Sequence, residues 1–117
     1  MSAKPFGFAK AERIRVRKEF LLASREARKR LETPSFIVLL RPNQRPYARL
    51  GITVTKKIGP AAQRNRIKRQ LREFYRINKC HLPPGHDILI IARQGAAGLK
   101  HQQVWSELNL MIDRPLN

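Results

Sequence analysis

The segment Gln63-Arg64-Asn65-Arg66-Ile67-Lys68-Arg69-Gln70-Leu71-Arg72-Glu73-Phe74-Tyr75-Arg76 carries the residue types of phosphate binding. Between Pro60 and Lys79 stand seven cations, Arg64, Arg66, Lys68, Arg69, Arg72, Arg76 and Lys79, against the single acid Glu73. Ordinary solvated helix faces mix signs, because opposite charges three or four residues apart each contribute about 0.2–0.5 kcal/mol. Here the series Arg64, Lys68, Arg72, Arg76 repeats like charge every four residues, which costs similar small amounts unless phosphates lie between the side chains. Arg outnumbers Lys, which favours bidentate phosphate contacts and stacking over point-charge attraction. Asn65, enclosed by two arginines, adds a directed donor and acceptor that charge alone lacks.

No comparable constellation supports catalysis or metal binding by the chain itself. Cys80, His81 and His86 sit near a Pro-Pro-Gly turn without the second cysteine pair of a structural zinc site. The eight acids are scattered, with no close pair of the kind that holds two metals in a nuclease. Asp87, just before an apolar run, reads as a turn or cap residue. Glu73 is expected to pair with Arg66, Arg69 or Arg76 on its own helix, and Trp105 falls at core spacing. We therefore assign no catalytic residue and no metal ligand.

Composition agrees with a polyanion partner. The 25 Lys and Arg against 8 Asp and Glu give a formal charge of +17, a self-repulsion that a bound polyanion relieves. Nucleic acid is the commonest such partner, since neutralised phosphates release counterions. A membrane partner fits poorly: no run approaches the roughly 18 apolar residues of a spanning helix. With 117 residues, 42% of them apolar and periodically placed, the chain suits one folded domain. A single cysteine excludes an internal disulfide, and residues 1–10 lack the features of a secretion signal, so a cytoplasmic location is expected.

The elements that must position the basic segment follow from periodicity. Residues 1–12 lack it and read as a mobile arm. Phe20, Ala23, Ser24, Ala27 and Leu31 predict a helix from Arg17 to about Arg30. Ser35 to Leu40 is an apolar run that reads as a strand covered on both faces, and Tyr47 to Thr55 alternates as a half-buried strand. The two are expected to pair as an antiparallel hairpin across the Pro42–Pro46 turn. Lys56 to Gly59 is a basic connector, and Pro60 suits the first turn of a helix running to about Lys79. At about 100° per residue, Ile67, Leu71 and Phe74 share one narrow sector with Tyr75 at its margin, so this sector docks and the cations face outward. Ile88 to Ala92 predicts a third strand, with room for a parallel crossover before it. Leu99 to Arg114 predicts a last helix burying Val104, Leu108 and Met111, with Trp105 and Ile112 beside them. The order is α-β-β-α-β-α, an α+β sandwich of helices on a small sheet.

Arg64-Asn65-Arg66, with Lys68-Arg69 and Arg72-Glu73 after it and Gly51-Ile52-Thr53-Val54-Thr55-Lys56-Lys57-Ile58-Gly59 before it, resembles the signature of the bacterial ribonuclease P protein subunit. The match holds in order and spacing from Leu50 to Tyr75. It extends to Phe20, Phe36 and the stretch Asp87 to Arg93, covering about residues 13–112. The resemblance implies a single domain with a two-layer sandwich, a small mixed sheet and a left-handed βαβ crossover, as in the second domain of a small-subunit ribosomal protein. It also implies one subunit of a holoenzyme whose RNA hydrolyses the phosphodiester with Mg²⁺, pairing one-to-one with that RNA and helping to trim the 5′ leader of precursor tRNA. Lys56, Lys57, Arg64, Asn65, Arg66, Lys68, Arg69 and Arg72 are then the RNA contacts, and Phe20 matches an aromatic of a leader cleft between the first helix and the sheet. Where many members have a second aromatic one turn later, this chain has Ser24. Two other readings of the residues are a structural RNA-binding protein of ribosomal type and a DNA-binding helix. The second lacks a recognisable helix-turn-helix pair.

Overall fold

The structure, a computed structural model, describes residues 10–113. Four strands, β1 (Lys29–Glu32), β2 (Phe36–Pro42), β3 (Arg49–Thr53) and β4 (His86–Ala92), combine with three helices, α1 (Arg17–Arg25), α2 (Ala61–Asn78) and α3 (His101–Asp113). They form one mixed sheet in the order β1-β2-β4-β3. Strand β4 pairs antiparallel with β2, placing Val38 opposite Ile90, and parallel with β3, placing Ile52 opposite Ile90 on its other side. The expected crossover through α2 thus joins two parallel neighbours, and the α+β class holds.

The expected hairpin between β2 and β3 does not form, because β4 lies between them. A central strand must be apolar on both faces, and Ile88-Leu89-Ile90 is fully buried. β3, with Arg49, Gly51 and Thr53 on one face, is better suited to an edge. The residues between Pro42 and Arg49 are enough to step across two strand spacings, about 10 Å.

The first helix is shorter than its periodicity predicted. It ends at Arg25, and Lys29–Glu32 becomes a strand pairing antiparallel with β2. Thr33 explains the switch by building the β1–β2 turn: its N–H donates to the Phe36 carbonyl (2.8 Å) and its Oγ1 accepts from the Phe36 N–H (2.9 Å). Along the strand the exposed Arg30 and Glu32 alternate with Leu31, which packs on the main core.

That core lies between one sheet face and α2 with α3. Phe36, Val38, Leu40, Leu50, Ile88 and Ile90 meet Ile67, Leu71, Phe74 and Tyr75 of α2 and Val104 and Leu108 of α3. Each fully buried aliphatic or aromatic side chain contributes about 1.5–3 kcal/mol. Trp105 packs as expected, edge-on to Phe74 with ring centroids 5.5 Å apart. Glu107 ties α3 to the start of β2 by accepting from the Ser35 N–H (2.9 Å) and hydroxyl (2.6 Å). The side chains of Met111 and Ile112, and Arg114, lie outside the described residues. The opposite sheet face packs Leu39 and Leu89 against Ile14, Ala23 and the half-buried Phe20 of α1 and its approach.

Residues 1–9 of the expected arm lie outside the described residues, but its last three form a short helical turn, Lys10–Glu12. From there an extended strap runs beside the free edge of β3. Arg13 bridges Leu50 in parallel, and the Ile14 N–H donates to the Leu50 carbonyl at 2.9 Å.

Candidate nucleic-acid interface

Helix α2 begins where Pro60, with φ −63°, supplies a carbonyl that accepts from the Arg64 N–H. Its buried stripe is Ile67, Leu71, Phe74 and Tyr75, each at most 3% exposed, so the helix cannot rotate about its axis without losing the core. The remaining faces present Asn65, Arg66, Arg69 and Arg72 exposed, with Arg64 and Lys68 half-buried. Glu73 takes Arg76 as its ion-pair partner (2.5 Å). No carboxylate among the described residues pairs with Arg66, Lys68, Arg69 or Arg72. Arg64 Nε donates to the Gly59 carbonyl (3.1 Å), tying the ridge to the exposed Lys56 and Lys57, whose turn is anchored by buried Ile58. All eight sequence-predicted contacts therefore lie on α2 or on the turn that enters it.

Two grooves extend this surface. One, of about 250 Å³, is walled by Arg13 and Arg15 of the strap and by Lys68 and Arg72 of α2, with Leu50 and Ile52 in its lining. The second, of about 380 Å³, lies between α1 and the edge of β3 and is lined by Phe20 and Leu21 with Arg15, Arg17, Thr53 and Thr55. Ile14, Arg15 and Ile52 line both, so the grooves adjoin at the edge of β3. Phe20 thus sits in a cleft between the first helix and the sheet. Sequence reasoning overlooked Arg13, Arg15 and Arg17, although the alternation Arg13-Ile14-Arg15-Val16-Arg17 carried the period-two signal of an edge segment with cations on one side.

The cleft rests on a buried charge network. Asp87, fully buried, accepts from Arg49 Nε and Nη2 (2.9 Å each), Arg41 Nη1 (3.0 Å) and Asn43 Nδ2 (2.9 Å). Burial pushes its carboxyl up, but hydrogen bonds from Arg49 and Asn43 and the charge of Arg49 outweigh that and hold it below its ordinary value. The two arginines also reach α1: Arg49 meets Glu19 at 3.5 Å and Arg41 meets Glu26 at 2.6 Å. Asp87 is therefore the hub of an ion network that braces both ends of the helix carrying Phe20, not the turn or cap residue its position suggested. Each partner lies more than thirty residues away in sequence, which local reading cannot see.

Tyr75 plays a similar part beside α2. Its hydroxyl lies 3.1 Å from Glu12 Oε2 and 3.0 Å from the Ala48 carbonyl, and burial followed by the Glu12 charge pushes it well above its ordinary value, so it stays a donor. Among the described residues no group of three or more His, Cys, Asp or Glu is placed to hold a metal ion, and no helix is long and apolar enough to cross a membrane. Cys80 and His81 are exposed, and the His86 ring nitrogen Nδ1 lies 3.0 Å from the Pro84 carbonyl.

Comparison with known proteins places this geometry in a family. The Ribonuclease P family model matches residues 8–115. A ribonuclease P protein component from Citrifermentans bemidjiense is 50% identical over 107 residues, covering 92% of this chain and 90% of that protein. The corresponding protein from Syntrophus aciditrophicus is 40% identical over 95% of this chain and 92% of its own length. Among solved structures, the RNase P protein from Thermotoga maritima superposes with a TM-score of 0.80 at 38% identity, over 91% of this chain and 99% of that one. The Staphylococcus aureus RNase P protein gives 0.80 at 34% identity, over 87% and 93%. A basic helix fixed by its core stripe, a sheet of this topology and matches of this extent lead to one conclusion: the chain belongs to the ribonuclease P protein component family.

Proposed function

We propose that this protein binds the RNA subunit of ribonuclease P through Arg64, Asn65, Arg66, Lys68, Arg69 and Arg72 of α2, with Lys56 and Lys57, and receives the 5′ leader of precursor tRNA in the Phe20 cleft. The observation that carries this reading is that a groove walled by the cationic face of α2 adjoins, at the edge of β3, a second groove lined by an aromatic ring. RNA backbone satisfies the first, and unstacked single-stranded bases satisfy the second. In this reading the chain supplies no catalytic group. Hydrolysis and its Mg²⁺ are assigned to the RNA, as family membership implies, and Asp87 serves the fold through Arg49, Arg41 and Asn43. The protein contributes cationic charge and position, working as one protein with one RNA in the cytoplasm, where leader-bearing tRNA is made.

Reconstitution tests this. The chain mixed with ribonuclease P RNA should accelerate removal of the leader at low Mg²⁺, where the RNA alone is slow for want of charge neutralisation, and should show no activity by itself. An unchanged rate over a range of protein concentrations at near-physiological salt would refute the assignment.

A further inference from the structure

Glu12 is an acid beside a surface that otherwise collects cations, and it is only 5% exposed. Its carboxylate accepts from the Tyr75 hydroxyl at Oε2 (3.1 Å) and pairs with Lys79 Nζ at Oε1 (2.8 Å). Tyr75 and Lys79 continue the stripe that Lys68 and Arg72 begin, since steps of four, three and four residues keep to one side of a helix. The strap therefore meets α2 at Glu12 and runs back along that stripe. Ile14, 7% exposed, is the next buried residue, its N–H held by the Leu50 carbonyl. Ile14 packs on the α1 face with Leu39 and Leu89, so the extended backbone that follows the Lys10–Glu12 turn sends the exposed Arg13 and Arg15 to the other side, into the groove they share with Lys68 and Arg72.

We infer that Glu12 is a positioning residue that latches the strap to α2, so that Arg13 and Arg15 join Lys68 and Arg72 in one two-walled seat for RNA backbone phosphates. The inference deepens the proposed function and rests on it. Its signature is a reversed sign. On a chain of charge +17, removing an acid near bound RNA strengthens binding by simple electrostatics, whereas removing a latch weakens it.

The test measures binding of the full chain to ribonuclease P RNA as a function of salt, with folding checked by circular dichroism. Glu12→Gln should weaken affinity roughly tenfold and lower the salt slope by about 1.4–1.8, as two phosphates go without a cation. Tyr75→Phe keeps the ring in the core and removes only the hydroxyl; it should give a smaller effect of the same kind and carries the test if Glu12→Gln does not fold. Glu32→Gln, an exposed acid on β1, should bind as well as wild type or better. In an Arg13→Gln/Arg15→Gln background, Glu12→Gln should have no further effect, because a latch acts only through what it holds. Equal or tighter binding by Glu12→Gln with an unchanged slope, or a full weakening that persists in the background without Arg13 and Arg15, overturns the latch. A wild-type chain that does not bind the RNA overturns the proposed function and the latch with it, whereas tight wild-type binding with a silent Glu12→Gln overturns the latch alone.

Discussion

Phe20 rests so closely on Gly51 that a β-carbon at Gly51 would lie 2.9 Å from Phe20 Cδ2 and 3.0 Å from Leu89 Cδ2. The missing side chain of β3 is thus part of the cleft, because it lets the aromatic ring settle against the sheet edge. Gly51→Ala should push the ring outward at a stability cost of about 1–3 kcal/mol, the usual range for overpacking. If leader bases stack on Phe20, Phe20→Ala should weaken holoenzyme binding of leader-bearing precursor by about 1–3 kcal/mol and leave mature tRNA nearly unaffected. Gly51→Ala should show the same preference in milder form. Equal effects on both substrates would reduce Phe20 to a packing residue.

The ridge makes a prediction in which affinity and stability move in opposite directions. Replacing Arg66 or Arg69 by Gln should lower the slope of log affinity against log salt by about 0.7–0.9 for each phosphate that is no longer neutralised. Arg69 is three residues from both Arg66 and Arg72, so Arg69→Gln also relieves like-charge pairs of about 0.2–0.5 kcal/mol each and should leave the free protein as stable or slightly more so at low salt. Binding titrations and urea denaturation on the same samples separate the two effects. A salt slope equal to wild type would remove the residue from the interface.

The contrast between what was legible and what was not follows the range of the interactions. The buried sector of α2 could be read from Ile67, Leu71 and Phe74 alone, because a helix repeats its contacts every three or four residues. The same logic misled at the end of α1: Ala27 and Leu31 fit a helical period, yet Thr33 turns the chain into β1, and Leu31 serves a strand instead. The partner of β3 was illegible for another reason. Which of two apolar strands lies beside it depends on which is buried on both faces, a competition that local periodicity cannot decide. In the site, the six residues on α2 and the two lysines of the turn before it stood out because one short stretch of sequence holds them all. Arg13 and Arg15 join the surface through strap contacts distant in sequence, the bridge of Arg13 to Leu50 and the contacts of Glu12 with Tyr75 and Lys79.

Asp87→Asn should be among the most destabilising single changes in the chain. It keeps the side-chain shape but leaves Arg49, 7% exposed, without its buried counter-charge. Breaking one side of a buried pair costs about 3–5 kcal/mol, a large share of the 5–15 kcal/mol typical of a domain. Because Arg49 and Arg41 also hold Glu19 and Glu26, hydrogen exchange should accelerate in α1 more than in α2. A destabilisation below about 1 kcal/mol would mean that the arginines find other partners.

The same network fixes how stability responds to acid. Hydrogen bonds and the Arg49 charge hold the folded Asp87 carboxyl below its ordinary value despite burial, whereas the unfolded chain titrates near the ordinary pKa of about 3.9. The unfolded state therefore binds the proton first on acidification, so stability rises with pH across this window. The Asp87 contribution is fully present above about pH 5 and is lost as pH falls through the depressed folded value. Urea unfolding at constant ionic strength between about pH 2.5 and 7 should show a steep acid limb in wild type and a shallower one in Asp87→Asn. Limbs of equal steepness would assign the acid transition to other carboxylates, and with it the claim that Asp87 stays ionised in the fold would fail.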